Sequence, residues 1–271
     1  FCNPNRRHNT DRSKSILTRA LTQLDQPIRP VSTVWEKMVE RFFHTRIKAS
    51  QIPVESSKIS LLSGPLSSGK TSLLFQFALN STAGNVSAVV FLCSRRRLEQ
   101  NPPFLSQGVD PSSEIFGRVQ MKYVDDYEGI KKFFAAFHLL DTFPVSVVID
   151  DFADFFDERK CQERYKNPRG REMAMVRVLS LCRNAIDHAN KRGRCEVVLS
   201  DTHKGEIPRL LYIYKKWVNC IYTVKVEGDG SGSFILQELY PDTANSKKKF
   251  AKYSIALQHL ELEDLVEGAE C

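Results

Sequence analysis

The sequence predicts an α/β protein built around a mostly parallel sheet with helices on both faces. From residue 58 onward, short apolar runs that suit buried strands alternate with longer segments of helical periodicity. This alternation favours parallel strands joined by crossover helices. A glycine-containing octapeptide, 64–71, separates the first apolar run from the first helical segment, and the glycine-rich stretch 228–232 separates two later strand patterns. The second feature predicts a C-terminal β-hairpin.

The first 54 residues are predicted to form a basic arm with one amphipathic helix. Residues 1–50 contain ten Lys and Arg against four Asp and Glu. After Pro30, apolar side chains recur at helical spacing on one face; they are Val31, Val34, Trp35, Met38, Val39, Phe42 and Phe43. This helix either packs on its own domain or docks on a partner protein.

The main domain is predicted to cover residues 55–262, and residues 263–271 are expected to be an acidic, disordered tail. Strands are expected at 59–62, 87–93, 117–124, 145–149, 197–199, 218–226 and 234–240. One helix should follow the octapeptide. A second should begin after Asp125 and Asp126 and run through Leu140, and a third should cover 171–191 and end before Gly193.

Composition disfavours membrane and secreted classes. The 271 residues include no apolar run close to 18 residues and no opening signal segment, so we expect neither membrane insertion nor secretion. Seven cysteines form an odd set without a C-x-x-C pair. Reduced thiols in the cytosol or nucleus fit this pattern.

The octapeptide Gly64-Pro65-Leu66-Ser67-Ser68-Gly69-Lys70-Thr71 reads G-x-x-x-x-G-K-T. This is the phosphate-binding P-loop pattern. Its backbone N–H groups would surround a phosphate, Lys70 would neutralise phosphate oxygens, and Thr71 would offer its hydroxyl to Mg²⁺. We therefore predict ATP and Mg²⁺ as ligands. The residues expected around the nucleotide are Gly64, Ser68, Gly69, Lys70, Thr71 and Ser72.

Two later strands end in polar residues that suit the same site. The run 145–151 ends in Asp150 and Asp151, as the Walker B strand of P-loop nucleotidases does, and Asp150 would hold Mg²⁺ together with Thr71. The run 195–203 ends in polar side chains that include Ser200 and Thr202. Either Ser200 or Thr202 senses a γ-phosphate at the sheet edge, or both only reflect the polarity of a turn.

These motifs resemble the RecA-like recombinase superfamily over roughly residues 55–260. Within it, the segments 61–75 and 90–98 resemble the recombinase paralogue that associates with a SWIM-domain protein in Shu-type complexes. The resemblance implies binding of ATP and single-stranded DNA, a SWIM-domain zinc-finger partner, possible contact with other recombinase paralogues, and a nuclear role in homologous recombination repair. Basic runs at 191–194 and 247–249 agree weakly with nuclear import.

One departure from the RecA pattern bears on catalysis. Where those enzymes place a glutamate to polarise the attacking water, this chain has Ser94-Arg95-Arg96. Asp151 could take the place of this glutamate, although its side chain is one methylene shorter. The predicted catalytic residues are therefore Lys70, Asp150 and Asp151. We expect ATP binding with slow hydrolysis that DNA stimulates, and leave open whether the protein is an enzyme in practice.

A second basic region, 158–216, contains fifteen Lys and Arg against seven Asp and Glu. It falls where recombinases expose DNA-binding loops, and cations interleaved with aromatic rings suit a single strand. The DNA candidates are Arg164, Lys166, Arg169, Arg171, Lys204, Arg209, Lys215 and Lys216, with Tyr165 available for base stacking. Tyr212, Tyr214 and Trp217 either stack on bases or belong to the core.

Two other functions stay open from the sequence. The chain could be a RecA-fold scaffold without nucleotide turnover, although retention of Lys70, Thr71 and Asp150 argues against complete loss of the site. It could also be a small-molecule or nucleotide kinase that uses Arg95, Arg96 and Arg97 on phosphates. The basic segment and the C-terminal hairpin fit a kinase less well.

Overall fold

A computed structural model describes residues 39, 41–44, 59–83, 88–205, 207–228, 232–239 and 248–268. The chain divides into two compact units, 1–33 and 34–271, and every described residue belongs to the second. The predicted arm is therefore described only at 39 and 41–44.

The described strands form one ten-stranded sheet in the order β3-β10-β9-β8-β7-β1-β6-β5-β2-β4. The strands are β1 (Ile59–Gly64), β2 (Val89–Cys93), β3 (Leu105–Ser106), β4 (Val119–Tyr123), β5 (Ser146–Ile149), β6 (Glu196–Thr202), β7 (Cys220–Val226), β8 (Ser233–Glu238), β9 (Lys248–Ala256) and β10 (His259–Gly268). The six strands from β7 to β4 in this order run parallel, whereas β7, β8, β9 and β10 pair antiparallel. These six strands therefore end at the same edge, whereas β3 pairs parallel with β10 and runs in the opposite direction.

Helices cover both faces of the sheet. They are α1 (Lys70–Thr82), α2 (Arg95–Gln100), α3 (Tyr127–Ala135), α4 (Asp154–Asp157), α5 (Arg159–Arg164), α6 (Pro168–Ala189) and α7 (Leu211–Trp217), with 3₁₀ turns at Glu114–Arg118 and Phe137–Leu139. One core packs α1 against the sheet and a second packs α3, α6 and α7 against the opposite face. The predicted fold class is confirmed.

The predicted helix 125–140 is shorter than expected. Asp126 does cap it, because its carboxylate accepts a hydrogen bond from the N–H of Gly129 over 3.1 Å. The α-helix ends at Ala135 and the chain tightens into a 3₁₀ turn. That turn keeps Phe137 buried between the rings of Phe134 and Phe143, with centroids 5.9 and 5.5 Å away. Helical periodicity alone does not reveal such tightening.

The C-terminal end forms a second hairpin that the sequence analysis did not assign. Strands β9 and β10 are joined by Leu257 and Gln258, which both have positive φ angles (51° and 63°), as a type I′ hairpin turn requires. Strand β10 continues to Gly268. Residues 263–268, which the sequence analysis places in the tail, therefore extend the sheet.

The described part of the arm packs on its own domain. Val39, Phe42 and Phe43 are buried, and the Phe42 ring lies 5.4 Å from that of Phe77. Arg41 pairs with Glu196 over 2.6 Å. At these residues the structure favours self-packing over docking on a partner, and the rest of the predicted amphipathic helix lies outside the described residues.

Within the described part of the chain, no helix combines the length and apolarity needed to cross a bilayer. Cys93, Cys161, Cys182 and Cys195 are buried free thiols. Burial raises the pKa of Cys93 and of Cys195 to about 12, so both thiols are unreactive at neutral pH.

Candidate functional site

The predicted P-loop connects β1 to the N-terminus of α1. Gly69 precedes the helix with φ +73°, a left-handed conformation that glycine adopts without strain. The hydroxyl of Ser68 and the ammonium group of Lys70 both donate to the carbonyl oxygen of Pro65, over 2.9 and 2.8 Å. The first turn of α1 contains no acidic residue, so its N–H groups and positive dipole end favour an anion.

Strand β9 supports this loop from the C-terminal part of the sheet. The buried hydroxyl of Tyr253 donates to the carbonyl oxygen of Ser68 over 2.7 Å. A Cβ atom at Gly64 would lie 2.8 Å from Cβ of Val224, and one at Gly69 would meet Cδ1 of Ile255. Close packing therefore requires glycine at position 64, whereas the positive φ favours glycine at position 69. The sequence analysis did not connect Tyr253 and Ile255 with this loop, because they lie far from it in the sequence.

A hydrogen-bonded chain joins the predicted site residues of three elements. Thr71 donates to Oδ2 of Asp150 over 2.8 Å, and Ser200 donates to Oδ1 of Asp150 over 2.7 Å. Because β1, β5 and β6 are neighbouring parallel strands, their ends meet at one edge. The structure thus brings together three of the residues predicted for nucleotide and metal binding.

The residues at this edge fit a magnesium ion. The oxygens of Thr71 and Asp150 that would bind it lie 2.8 Å apart, close to the about 3 Å that separates adjacent ligands of an octahedral Mg²⁺ site. Among the described residues, no three His, Cys, Asp or Glu side chains are grouped as a metal site. Phosphate oxygens and water would have to supply the remaining ligands, as is usual for Mg²⁺ in nucleotide sites.

Burial sets the charge balance of the site. It raises the pKa of Asp150 to about 6, and the neighbouring Asp151 adds to this effect, while hydrogen bonds from Ser200 and Thr71 and the charge of Lys70 oppose it. Burial also lowers the pKa of Lys70, an effect that Asp151 and Asp150 oppose. A bound cation would favour the ionised form of Asp150, so metal and carboxylate stabilise each other.

Two other residues predicted for the site, Ser72 and Asp151, form hydrogen bonds within the protein. The hydroxyl of Ser72 accepts a hydrogen bond from the N–H of Phe104 over 2.9 Å, so it anchors the chain after α2. Asp151 has φ +50°, its N–H donates to Ser200 over 2.8 Å, and its Oδ1 accepts from Thr202 over 2.9 Å. The sequence analysis considered Thr202 for γ-phosphate sensing, and the structure places it on Asp151.

An arginine–carboxylate cluster adjoins Asp151 at the same sheet edge. It consists of Arg97, Arg209, Asp151, Asp154, Asp157, Glu158 and Asp201. Arg97 lies 2.5 Å from Asp154, 3.3 Å from Glu158 and 3.6 Å from Asp151.

Arg209 binds the other side of Asp154 and also Asp157 and the fully buried Asp201. Asp154 therefore connects two guanidinium groups. These pairs could not be predicted from local sequence patterns, because residue 154 lies 57 positions from Arg97 and 55 from Arg209.

Most of the DNA candidates are exposed, and some of the eight form ion pairs within the protein. Exposed candidates are Arg164, Lys166, Arg169, Lys204, Lys215 and Lys216. Arg164 nevertheless pairs with Glu128 over 2.7 Å, and the partly buried Arg171 lies 3.8 Å from Asp157. The charge of Arg209 is largely compensated within the cluster. Contact with DNA stays a prediction for all eight.

The aromatic residues of the basic region also differ from one another. Tyr214 is fully buried and donates to Asp201 over 3.1 Å, so it belongs to the core. Tyr212 is exposed, and Tyr165 is half-buried beside Tyr127 with ring centroids 6.1 Å apart. Tyr212 is thus the most accessible of these rings for base stacking.

Comparison with known proteins establishes the fold. No protein-family model matches the chain, and no curated protein matches it. Among solved structures, a KaiC-like protein, PH0186 from Pyrococcus horikoshii OT3, is similar with a TM-score of 0.55 and 14% identity, over 77% of this chain and 90% of that one. The RadB recombinase is similar with a TM-score of 0.54 and 14% identity, over 77% and 92%.

This similarity shows the fold alone, because both identities are low. The mostly parallel sheet flanked by helices matches the RecA-like architecture of these two structures. The P-loop and Asp150 lie at the sheet edge where ligands bind in open α/β folds.

Proposed function

We propose that this RecA-like chain binds ATP with Mg²⁺ and hydrolyses it slowly. The hydrogen-bonded chain Thr71–Asp150–Ser200 carries this proposal, since it joins the P-loop to the ends of β5 and β6 through a buried carboxylate. Lys70 and the N-terminus of α1 would bind the phosphates, and Thr71 and Asp150 would hold the metal. Bound Mg²⁺ would neutralise charge on the β- and γ-phosphate oxygens.

Slow hydrolysis follows from the residues at the end of β2. No carboxylate stands there, because Ser94 and Arg95 follow Cys93 directly. Asp151 is the nearest substitute, but Thr202 binds one of its oxygens and Arg97 lies near the other. Phosphoryl transfer depends on precise positioning of the attacking water, so a restrained carboxylate would act poorly.

We further propose that the protein is a nuclear, single-stranded-DNA-binding mediator of homologous recombination, in complex with a SWIM-domain zinc-finger protein. The support comes from the fold shared with a RadB recombinase, the sequence resemblance, and the exposed basic side chains near Tyr212. DNA contact would raise the rate of ATP hydrolysis.

The first test measures nucleotide and DNA binding together. Wild type, Lys70→Ala and the control Lys132→Ala are titrated with fluorescent ATP and Mg²⁺, then with labelled single-stranded DNA over a salt series. We expect Lys70→Ala alone to lose ATP binding, and DNA affinity to fall steeply with salt and to strengthen with ATP. Turnover above about 1 s⁻¹ without DNA, the low end of ordinary enzyme rates, would contradict slow hydrolysis.

Each further part of the proposal has its own readout. Absence of DNA binding by wild type in every condition would support a scaffold that holds partners instead. Co-purification with a SWIM-domain protein and fluorescence imaging of the tagged chain test the partner and the compartment. The kinase alternative would require transfer of phosphate from ATP to a nucleoside monophosphate, which thin-layer chromatography detects.

A further inference from the structure

Arg97 occupies an unusual place beside the nucleotide site. It lies in the first turn of α2, close to the end of β2, and its side chain is 37% exposed. Its neighbours Arg95 and Arg96 are exposed, and Arg95 pairs with Glu99 and lies over the ring of Tyr123. Arg97 alone of the three contacts the cluster in the described structure.

The contacts of Arg97 restrain the carboxylates that follow Asp150. One guanidinium nitrogen lies 2.5 Å from Asp154 and 3.6 Å from Oδ2 of Asp151, and another lies 3.3 Å from Glu158. Since Thr202 donates to Oδ1 of Asp151, both oxygens of that carboxylate face a donor. The left-handed backbone at Asp151 limits its freedom further.

We propose that Arg97 is a positioning residue that slows ATP hydrolysis by holding Asp151 away from the attacking water. This inference rests on the proposed function, since it concerns turnover at the same site. A guanidinium therefore lies beside the carboxylate that would orient the water. The chain retains nucleotide binding and suppresses its own turnover.

The reaction that Arg97 limits is ordinary hydrolysis. The water oxygen forms a bond to the γ-phosphorus, the bond from that phosphorus to the bridging oxygen breaks, and ADP leaves. One proton of the water stays on the inorganic phosphate, and the other passes through the Asp151 carboxylate to solvent. Release of Asp151 would let it accept a hydrogen bond from the water in line with the bond that breaks.

The test compares Arg97→Ala with Arg95→Ala, a change of the same residue type on the same helix outside the cluster. We expect Arg97→Ala to raise kcat by about tenfold, a fraction of the 10²- to 10⁴-fold that a well-positioned general base contributes. The KM for ATP should stay unchanged, and Arg97→Lys should give an intermediate rate. The double variant Arg97→Ala with Asp151→Asn should lose the gain, because the released carboxylate is absent.

A second readout needs no nucleotide. Amide hydrogen exchange of segment 151–158 should speed up in Arg97→Ala by about two- to fivefold, the range expected from losing ion pairs at this exposure. Arg95→Ala should leave it unchanged. Unchanged exchange in Arg97→Ala, or a kcat that stays level or falls, overturns the inference. If wild type does not bind ATP, the proposed function is overturned instead. The exchange experiment then still decides whether Arg97 restrains segment 151–158.

Discussion

The hydroxyl of Tyr253 donates a hydrogen bond to the carbonyl oxygen of Ser68 over 2.7 Å, across 185 positions of sequence. Tyr253 is fully buried, so this bond has little competition from water. It fixes the peptide that precedes Gly69, and the N–H groups that would surround a phosphate follow directly. The conformation of the P-loop thus depends on the C-terminal hairpin as well as on β1 and α1.

Tyr253→Phe should lower both stability and nucleotide affinity. The change leaves a buried carbonyl without its donor, which costs about 1–3 kcal/mol of unfolding free energy. Chemical denaturation and a titration with fluorescent ATP measure the two effects. Tyr123→Phe, at a partly exposed tyrosine on β4, is the control and should change neither. Equal ATP affinity of Tyr253→Phe and wild type would show that the loop holds its shape without this bond.

Gly69→Ala should abolish nucleotide binding. The new Cβ would meet Cδ1 of Ile255, and the positive φ would strain the backbone by about 1–2 kcal/mol. Adding Ile255→Val removes the Cδ1 atom. The double variant should regain part of the lost stability, while the backbone strain at residue 69 stays. Thermal unfolding of the single and double variants measures this difference. Gly117→Ala, where no atom lies within 4 Å of the added Cβ, should behave as wild type.

Ser200→Ala should weaken Mg²⁺-dependent ATP binding. It removes a donor to Asp150 and an acceptor for the N–H of Asp151, so the metal-binding carboxylate is less well oriented. Loss of such an outer partner lowers metal affinity about 10- to 100-fold. Titrations with ATP in Mg²⁺ and in EDTA separate the metal-dependent part. The control is Ser146→Ala on β5, whose buried hydroxyl has no hydrogen-bond partner in the described structure; equal losses in both variants would refute the role of Ser200.

Asp201 should make stability depend on pH. Burial raises its pKa to about 6 from 3.8, although Arg209 and Tyr214 oppose the shift. Because the folded protein binds this proton more tightly, the contribution of Asp201 is complete below pH 3.8 and is lost as the pH rises through about 6.

Asp201→Asn cannot lose a proton, so its stability should fall less than that of wild type between these pH values. The difference should be on the order of 1–3 kcal/mol. Urea unfolding at several pH values measures it, with the exposed Asp187→Asn as the control. Parallel pH profiles for wild type and Asp201→Asn would mean that Arg209 cancels the effect of burial.

Arg209 and Lys216 should respond differently to the same replacement. Arg209→Gln leaves the buried Asp201 without its guanidinium partner and should cost about 1–3 kcal/mol, less than a fully buried pair because Arg209 is 32% exposed. Lys216→Gln should change stability by less than about 0.5 kcal/mol. If Lys216 contacts DNA, its replacement should lower affinity and reduce the salt slope by about 1. A fully stable Arg209→Gln protein would contradict a structural role for the cluster.

The sequence predicted those parts of the fold and site that depend on local patterns. Residues 64–71 form a contiguous motif, and Asp150 follows a short apolar strand, so spacing alone indicated that they share a site. Arg97, Asp154 and Arg209 follow β2, β5 and β6 in the chain, and they meet only because these strands are neighbours in the sheet. Their pairing depends on strand order and on side-chain packing, which periodicity does not contain. The hairpin of β9 and β10 was missed because its turn, Leu257 and Gln258, lacks glycine, proline and asparagine.

The support of the P-loop by β9 also has a consequence for synthesis on the ribosome. The loop is translated before β9, and Tyr253 and Ile255 emerge only after some 185 further residues. At about 5–20 residues per second, the nascent chain would spend roughly ten to forty seconds with an unsupported loop. Contacts of this sequence separation also form slowly after release. Nucleotide present during translation would therefore first meet an incomplete loop, and truncated products ending before β9 should not compete for ATP.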